Sequence, residues 1–154
     1  MTILSTGDQA PAFEAISTAG SIKLSDTKGH KLVVFFYPKD NTPGCTTETE
    51  GFRDSHELFR QADCYVVGVS RDSLKSHDSF SKKLGVNFPL IADTESTLCE
   101  AFNVIKEKNM YGRKVMGIER STFLIDGNGL IVRAWRGVKV PGHVQEVLEA
   151  ARAL

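Results

Sequence analysis

Cys45 stands three residues after Thr42 in the run Phe36-Tyr37-Pro38-Lys39-Asp40-Asn41-Thr42-Pro43-Gly44-Cys45-Thr46-Thr47-Glu48. The order of residue types there prepares a sulfur for nucleophilic chemistry. Asn41, Thr42 and Pro43 read as a helix start: a capping side chain, then a proline whose missing N–H and fixed φ suit the first helical position. With Thr42 as N-cap, Cys45 falls in the first turn. Unpaired backbone N–H groups and the positive end of the helix dipole favour an anion there. Thiols in such places ionise at roughly pH 3.5–7.5 instead of about 8.5. The chemistry this allows is attack by a thiolate. Thr42 adds a hydroxyl three residues before the sulfur, able to donate to or accept from a small oxygen-bearing ligand.

The elements around this run must hold it in place. Leu32 to Tyr37 is a continuous apolar run rich in β-branched and aromatic residues, which reads as a strand buried on both faces. Pro38 ends it, because proline cannot donate to a sheet ladder. Thr46 to Ala62 reads as a helix with Phe52, Phe59 and Ala62 on one face. Gly51 weakens it by about 1 kcal/mol against alanine; either a close helix contact or a first turn able to unwind would account for it. Cys64 to Ser70 reads as a second buried strand. Asp72 or Ser73 caps a helix to about Leu84, with Leu74, His77, Phe80 and Leu84 on its inner stripe, and Gly85 ends it. Phe88 to Ala92 is a short strand interrupted by Pro89, and Ser96 to Phe102 a short helix. Val104 to Gly117 is a long, glycine-punctuated, mixed-charge connection carrying at most a strand edge. Ser121 to Ile125 and Leu130 to Trp135 are strands joined by Asp126-Gly127-Asn128-Gly129, a hairpin signal. His143 to Ala153 is a closing helix. Near the start, Thr6 to Pro11 is turn-rich, and Phe13 to Leu24 forms a small hairpin around Ala19-Gly20. Strands alternating with helices argue one α/β domain over residues 1–154 with a mixed sheet.

Composition narrows the function further. Nineteen basic residues balance nineteen acidic ones in 154 residues, which gives no electrostatic case for nucleic acid or an anionic membrane. No apolar run approaches the roughly 18 residues of a membrane span. Met1 to Thr6 lacks the basic and apolar regions of a leader. Three widely spaced cysteines, Cys45, Cys64 and Cys99, make neither a disulfide scaffold nor a zinc site, and fit a reducing compartment, most simply the cytoplasm. The four histidines are scattered and read as surface or half-buried polar residues. Gly127-x-Gly129 lies between strands, not before a helix, so it is a weak phosphate cradle.

Position 42 discriminates among thiol chemistries. A dithiol oxidoreductase of thioredoxin type carries two cysteines three apart at this turn; here Thr42 replaces the first, so no disulfide can form within the motif. The pattern Pro38-x-x-x-Thr42-x-x-Cys45 and its surroundings resemble the active-site segment of the peroxiredoxins, most closely their bacterioferritin-comigratory or Q subfamily in the AhpC/TSA superfamily. The resemblance covers nearly the whole chain. It includes Gly7-Asp8-x-Ala10-Pro11-x-Phe13, Val67-Gly68-Val69-Ser70-x-Asp72 and Arg120-Ser121-Thr122-Phe123-Leu124-Ile125-Asp126.

The resemblance implies a thioredoxin-like fold, a central mixed sheet flanked by helices with an N-terminal hairpin extension. It implies a thiol peroxidase for hydrogen peroxide and organic hydroperoxides, without a cofactor or metal. Cys45 would be the peroxidatic nucleophile, Thr42 would hydrogen-bond the peroxide with help from the Gly44 and Cys45 N–H groups, and Pro38 would shield the sulfur from water. Arg120 would stabilise the thiolate and polarise the O–O bond, with Glu48 either orienting Arg120 or serving as an ordinary first-turn acid. A resolving cysteine in this subfamily sits five residues after the nucleophile or in the helix after the second strand. Those places hold Glu50 and Ser81 here. Cys64 and Cys99 read as packing residues, so the expectation is a one-cysteine enzyme, reduced by thioredoxin or by glutaredoxin with glutathione. An atypical route through Cys99 or Cys64 is the alternative. A monomer is implied as well.

Overall fold

In a computed structural model the protein is described from Leu4 to Leu154. Met1 to Ile3, half of the stretch read as lacking a leader, lie outside the described residues. The chain order is β1 (Glu14–Ser17), β2 (Gly20–Lys23), a short 3-10 turn (Leu24–Thr27), β3 (Lys31–Phe36), α1 (Pro43–Gln61), β4 (Cys64–Ser70), α2 (Leu74–Leu84), β5 (Leu90–Ala92), α3 (Thr97–Ala101), β6 (Ile105–Met110), β7 (Arg113–Ile118), β8 (Ser121–Ile125), β9 (Ile131–Arg136) and α4 (His143–Arg152).

β3 is the spine of the sheet. It pairs in parallel with β4 and antiparallel with β8, within a seven-stranded order β2-β1-β5-β4-β3-β8-β9. Successive side chains of a strand point to opposite faces, so its apolar run feeds two cores. Val33, Phe35 and Tyr37 enter a layer with Phe52 and Phe59 of α1, Phe80 of α2 and Val147, Leu148 and Ala151 of α4. Leu32, Val34 and Phe36 enter the opposite layer with Leu98, Cys99, Phe102, Ile118 and Phe123. Each fully buried aromatic contributes about 1.5–3 kcal/mol, which holds the end of β3 rigidly where the chain turns toward Cys45. This is the mixed sheet flanked by helices, with an N-terminal hairpin, that the resemblance implies.

Several boundaries follow the sequence signals. Ser73 caps α2, its side chain accepting from the Ser76 N–H, and Gly85 closes it in the left-handed region at φ 64°. Gly51 faces α4: a Cβ there would lie 2.9 Å from Val144 Cγ2, so the glycine serves close helix packing.

Other expectations are corrected. α1 begins at Pro43, as the Thr42–Pro43 helix start predicts, and so runs three residues ahead of the Thr46–Ala62 span. The Val104–Gly117 segment is no loose connection. It is the β6–β7 hairpin, in full register from Ile105↔Ile118 to Met110↔Arg113. Its two-residue turn is Tyr111-Gly112, both at positive φ (53° and 78°), the geometry that matches strand twist. Two of the four histidines are not surface residues: His77 is fully buried and His143 is 5 % exposed.

Candidate active site

Cys45 is the third residue of α1 and is 1 % exposed. In that position the first backbone N–H groups of α1 have no carbonyl inside the helix to bond. Thr42 is the N-cap in its backbone, as expected, but its side chain makes no cap bond. Its Oγ1 donates to the Lys39 carbonyl at 2.7 Å, which leaves the oxygen's lone pairs to other partners. Thr42 and Pro38 are both half-buried.

Arg120 reaches the sulfur from 75 residues away. The β3–β8 register pairs Phe36 with Ser121, so Arg120 sits beside the end of β3, where the chain enters the Cys45 loop. One terminal nitrogen, Nη2, donates to Cys45 Sγ at 3.4 Å, and the other, Nη1, donates to Glu48 Oε1 at 2.7 Å. The arginine backbone is held by the Val138 N–H on its carbonyl at 3.0 Å. Gly44 leaves room for this approach, since a Cβ there would lie 3.2 Å from Arg120 Nη2. Of the two roles open to Glu48, the geometry gives it the pairing with Arg120. Its side chain is fully buried. Burial pushes its carboxyl up to about 7, against the downward pull of Arg120. Its Oε2 has no hydrogen-bond partner.

The other two thiols lie elsewhere. Cys64 opens β4 opposite Lys31, at the far end of β3 from the Cys45 loop, and burial pushes its thiol up to about 12. Cys99 lies in α3, in the layer across the sheet from Cys45. Burial, and then Asp93, push its thiol well above the ordinary range. All three cysteines are free.

The structure also brings to the site a group that the sequence reading passed over. Asp40, five residues before Cys45, turns inward, 4 % exposed, and meets His77 at 2.8 Å. His77 stands on the inner stripe of α2 beside Phe80, and that placement in an apolar stripe was the available signal that it is buried and bonded.

A buried cysteine at a helix start, with a guanidinium divided between it and a buried carboxyl, is the arrangement of a thiol-based redox centre. The AhpC/TSA family model matches residues 6–134, and the chain belongs to the AhpC/TSA family. It is 58 % identical over 125 residues, 81 % of this chain and 78 % of the other, to peroxiredoxin Bcp of Xanthomonas campestris pv. campestris. It is 50 % identical over 147 residues, 95 % of this chain and 94 % of the other, to peroxiredoxin Bcp of Bacillus subtilis strain 168. Among solved structures, a mutant of Xylella fastidiosa PrxQ aligns with TM-score 0.93 and 48 % identity over 99 % of this chain and 98 % of that one. Xanthomonas campestris peroxiredoxin Q aligns with TM-score 0.88 and 52 % identity over 92 % and 90 %.

Proposed function

We propose that the protein is a thiol-dependent peroxidase that reduces hydrogen peroxide and organic hydroperoxides through Cys45, in one domain spanning residues 1–154. The Cys45 thiolate attacks one peroxide oxygen in line. The S–O bond forms as the O–O bond breaks, the leaving hydroxide or alkoxide takes up a proton as water or alcohol, and Cys45 becomes a sulfenic acid. Arg120 Nη2 stabilises the thiolate and the charge that develops on oxygen. Thr42 Oγ1 and the free N–H groups of Gly44 and Cys45 bind the peroxide, and Pro38 screens the sulfur from water. The single observation that carries this reading is the 3.4 Å approach of Arg120 to Cys45 from the start of the neighbouring strand β8. In support, the alkyl peroxide reduction activity of the similar Xanthomonas campestris bacterioferritin comigratory protein has been approached through structures of its trapped intermediate and ligand complexes.

The sulfenic acid is regenerated by external thiols. A first thiol sulfur attacks Cys45, releasing water and leaving a mixed disulfide; a second thiol frees Cys45 and leaves the reductant oxidised. Four observations support this one-cysteine route. Cys64 lies at the opposite end of β3, Cys99 lies across the sheet, and both are held as neutral thiols by burial. Two solved variants of Xanthomonas peroxiredoxin Q replace cysteines 36 residues apart in its chain, and the residue 36 beyond Cys45 here is Ser81. Thioredoxin, or glutaredoxin with glutathione, is the reductant. The protein works as a monomer in the cytoplasm; its zero net charge favours no nucleic acid, and among the described residues no helix is long and apolar enough to cross a membrane.

A turnover assay with each reductant tests the proposal. Many peroxide molecules consumed per protein, unchanged in Cys64→Ser and Cys99→Ser, are expected. One peroxide per protein would make it a sensor, and loss of thioredoxin-linked turnover in Cys99→Ser would overturn the one-cysteine route.

A further inference from the structure

A buried polar cluster joins the Cys45 loop to α2. Asp40 Oδ2 accepts from His77 Nδ1 at 2.8 Å and from Ser76 Oγ at 2.8 Å. Asp40 Oδ1 accepts from Tyr37 Oη at 2.7 Å, and the Asp40 N–H donates to Asp72 Oδ2 at 2.9 Å. On the other side of the ring, His77 Nε2 lies 2.9 Å from the Ile91 carbonyl, which can only accept. Burial opposes ionisation of Asp40, yet its bonds and charge attraction to His77 hold its carboxyl below the usual range. Both ring nitrogens are thus engaged with protein oxygens, one on the Asp40 carboxyl and one on the Ile91 carbonyl. The side chains of His77 and Asp40 are 0 % and 1 % exposed.

Asp40, Asp72 and His77 also bring ligand-type atoms within 4.8 Å of one another. Each is already engaged with a protein partner, and the cluster is a closed hydrogen-bond network, not an open metal site.

The position of the cluster gives it a role. Asp40 is followed by Asn41, a non-glycine residue held at φ 64°, a conformation that persists only where the surroundings fix it. Thr42 then starts α1 without a side-chain cap bond. The helix start that carries Cys45 is thus set by the preceding loop and not by its own cap. That loop is anchored through Asp40 to α2, to the end of β4 and to the carbonyl of Ile91 in β5.

We propose that His77 is a positioning residue for Cys45: through Asp40 it fixes the 38–42 loop, and so aims the first turn of α1 and its free N–H groups at the sulfur and the peroxide. α2 is the buttress, closed at one end by Ser73 and at the other by Gly85. The consequence for the reaction rests on the peroxidase reading, whereas the consequence for thiol reactivity does not.

The test compares wild type, His77→Gln, Asp40→Asn and Ser76→Ala. Two readouts are used: the second-order rate constant with hydrogen peroxide, and the rate of Cys45 alkylation by iodoacetamide over a pH series. Thermal melts establish which variants fold. His77→Gln and Asp40→Asn are expected to react with peroxide about tenfold more slowly, with thiolate formation displaced to higher pH in the alkylation profile. Ser76→Ala removes one hydroxyl from Asp40 and keeps the Asp40–His77 hydrogen bond; it is expected to melt cooperatively and to slow about twofold. Wild-type rates and an unmoved pH profile in a folded His77 or Asp40 variant overturn the proposal. Should neither of these fold, an unmoved profile in Ser76→Ala overturns it. A wild-type protein that does not consume peroxide would remove the proposed function alone, and the alkylation profiles would still judge the role of His77.

Discussion

Arg120 divides one guanidinium between two acceptors, Cys45 Sγ at 3.4 Å and Glu48 Oε1 at 2.7 Å. A planar fork with fixed donors suits that division, which a lysine could not reproduce. Arg120→Ala is expected to slow the oxidation of Cys45 by about 10²–10³-fold, the range for losing one preorganised donor, as followed by stopped-flow; a wild-type rate would remove Arg120 from the mechanism. Glu48 adds a pH dependence of definite sign. Its carboxyl is pushed up to about 7, so it becomes anionic as pH rises through that value and draws the guanidinium's charge away from the sulfur. The rate constant of the Cys45 thiolate is expected to decline above about pH 7. Glu48→Gln keeps the acceptor on Nη1 without the charge, and is expected to abolish that decline. Superimposable profiles for the two proteins would contradict the coupling.

At the scale of elements, α1 must lie close to α4 for its first turn to meet β8, and Gly51 sets that distance. Gly51→Ala gains about 1 kcal/mol of helix propensity. Its new methyl would lie 2.9 Å from a stiff Val144 side chain, and overpacking of that kind costs about 1–3 kcal/mol. A net loss of about 1 kcal/mol in urea melts is expected, relieved when Val144→Ala is added; a stabilised Gly51→Ala would show that the helices are free to part. The elements around the site were legible where pattern and chemistry agree. The β3 run, the Ser73 and Gly85 caps and the Asp126–Gly129 turn each carry a strong local signal. The β6–β7 hairpin was not legible, because Arg113 to Met116 are all exposed and no buried face imposes alternation. Asp40 and His77 were hidden for another reason. Their partnership is made by the fold across 37 residues: the apolar stripe of α2 signals that His77 is buried, and nothing local names Asp40 as its partner. Arg120 lies further still from Cys45, and only the resemblance singled it out from an ordinary strand-edge arginine.

The whole molecule keeps ionisable groups buried, and its stability must follow pH accordingly. His143 sits at the start of α4 with Nε2 2.7 Å from Thr122 Oγ1, and burial pushes its ring down to about 4 from the ordinary 6.5. The unfolded chain binds a proton that the native ring refuses, so this stability is lost as pH falls from about 6.5 to about 4. Glu48 acts in the opposite sense: its raised carboxyl makes stability fall as pH rises from 4.5 to about 7. In denaturant melts across these windows, His143→Gln is expected to flatten the acid decline and leave the other limb in place; an unchanged acid limb would mean that another group carries it. The arrangement as a whole places three thiols in three settings, and among them only Cys45 has a guanidinium nitrogen within hydrogen-bond distance of its sulfur. The most direct measurement of that claim is to treat the reduced protein with one equivalent of hydrogen peroxide, trap sulfenic acid with dimedone, and locate the adduct by peptide mass spectrometry. The account predicts a single adduct on Cys45, absent from Cys45→Ser. An adduct on Cys64 or Cys99, or none on Cys45, would contradict it.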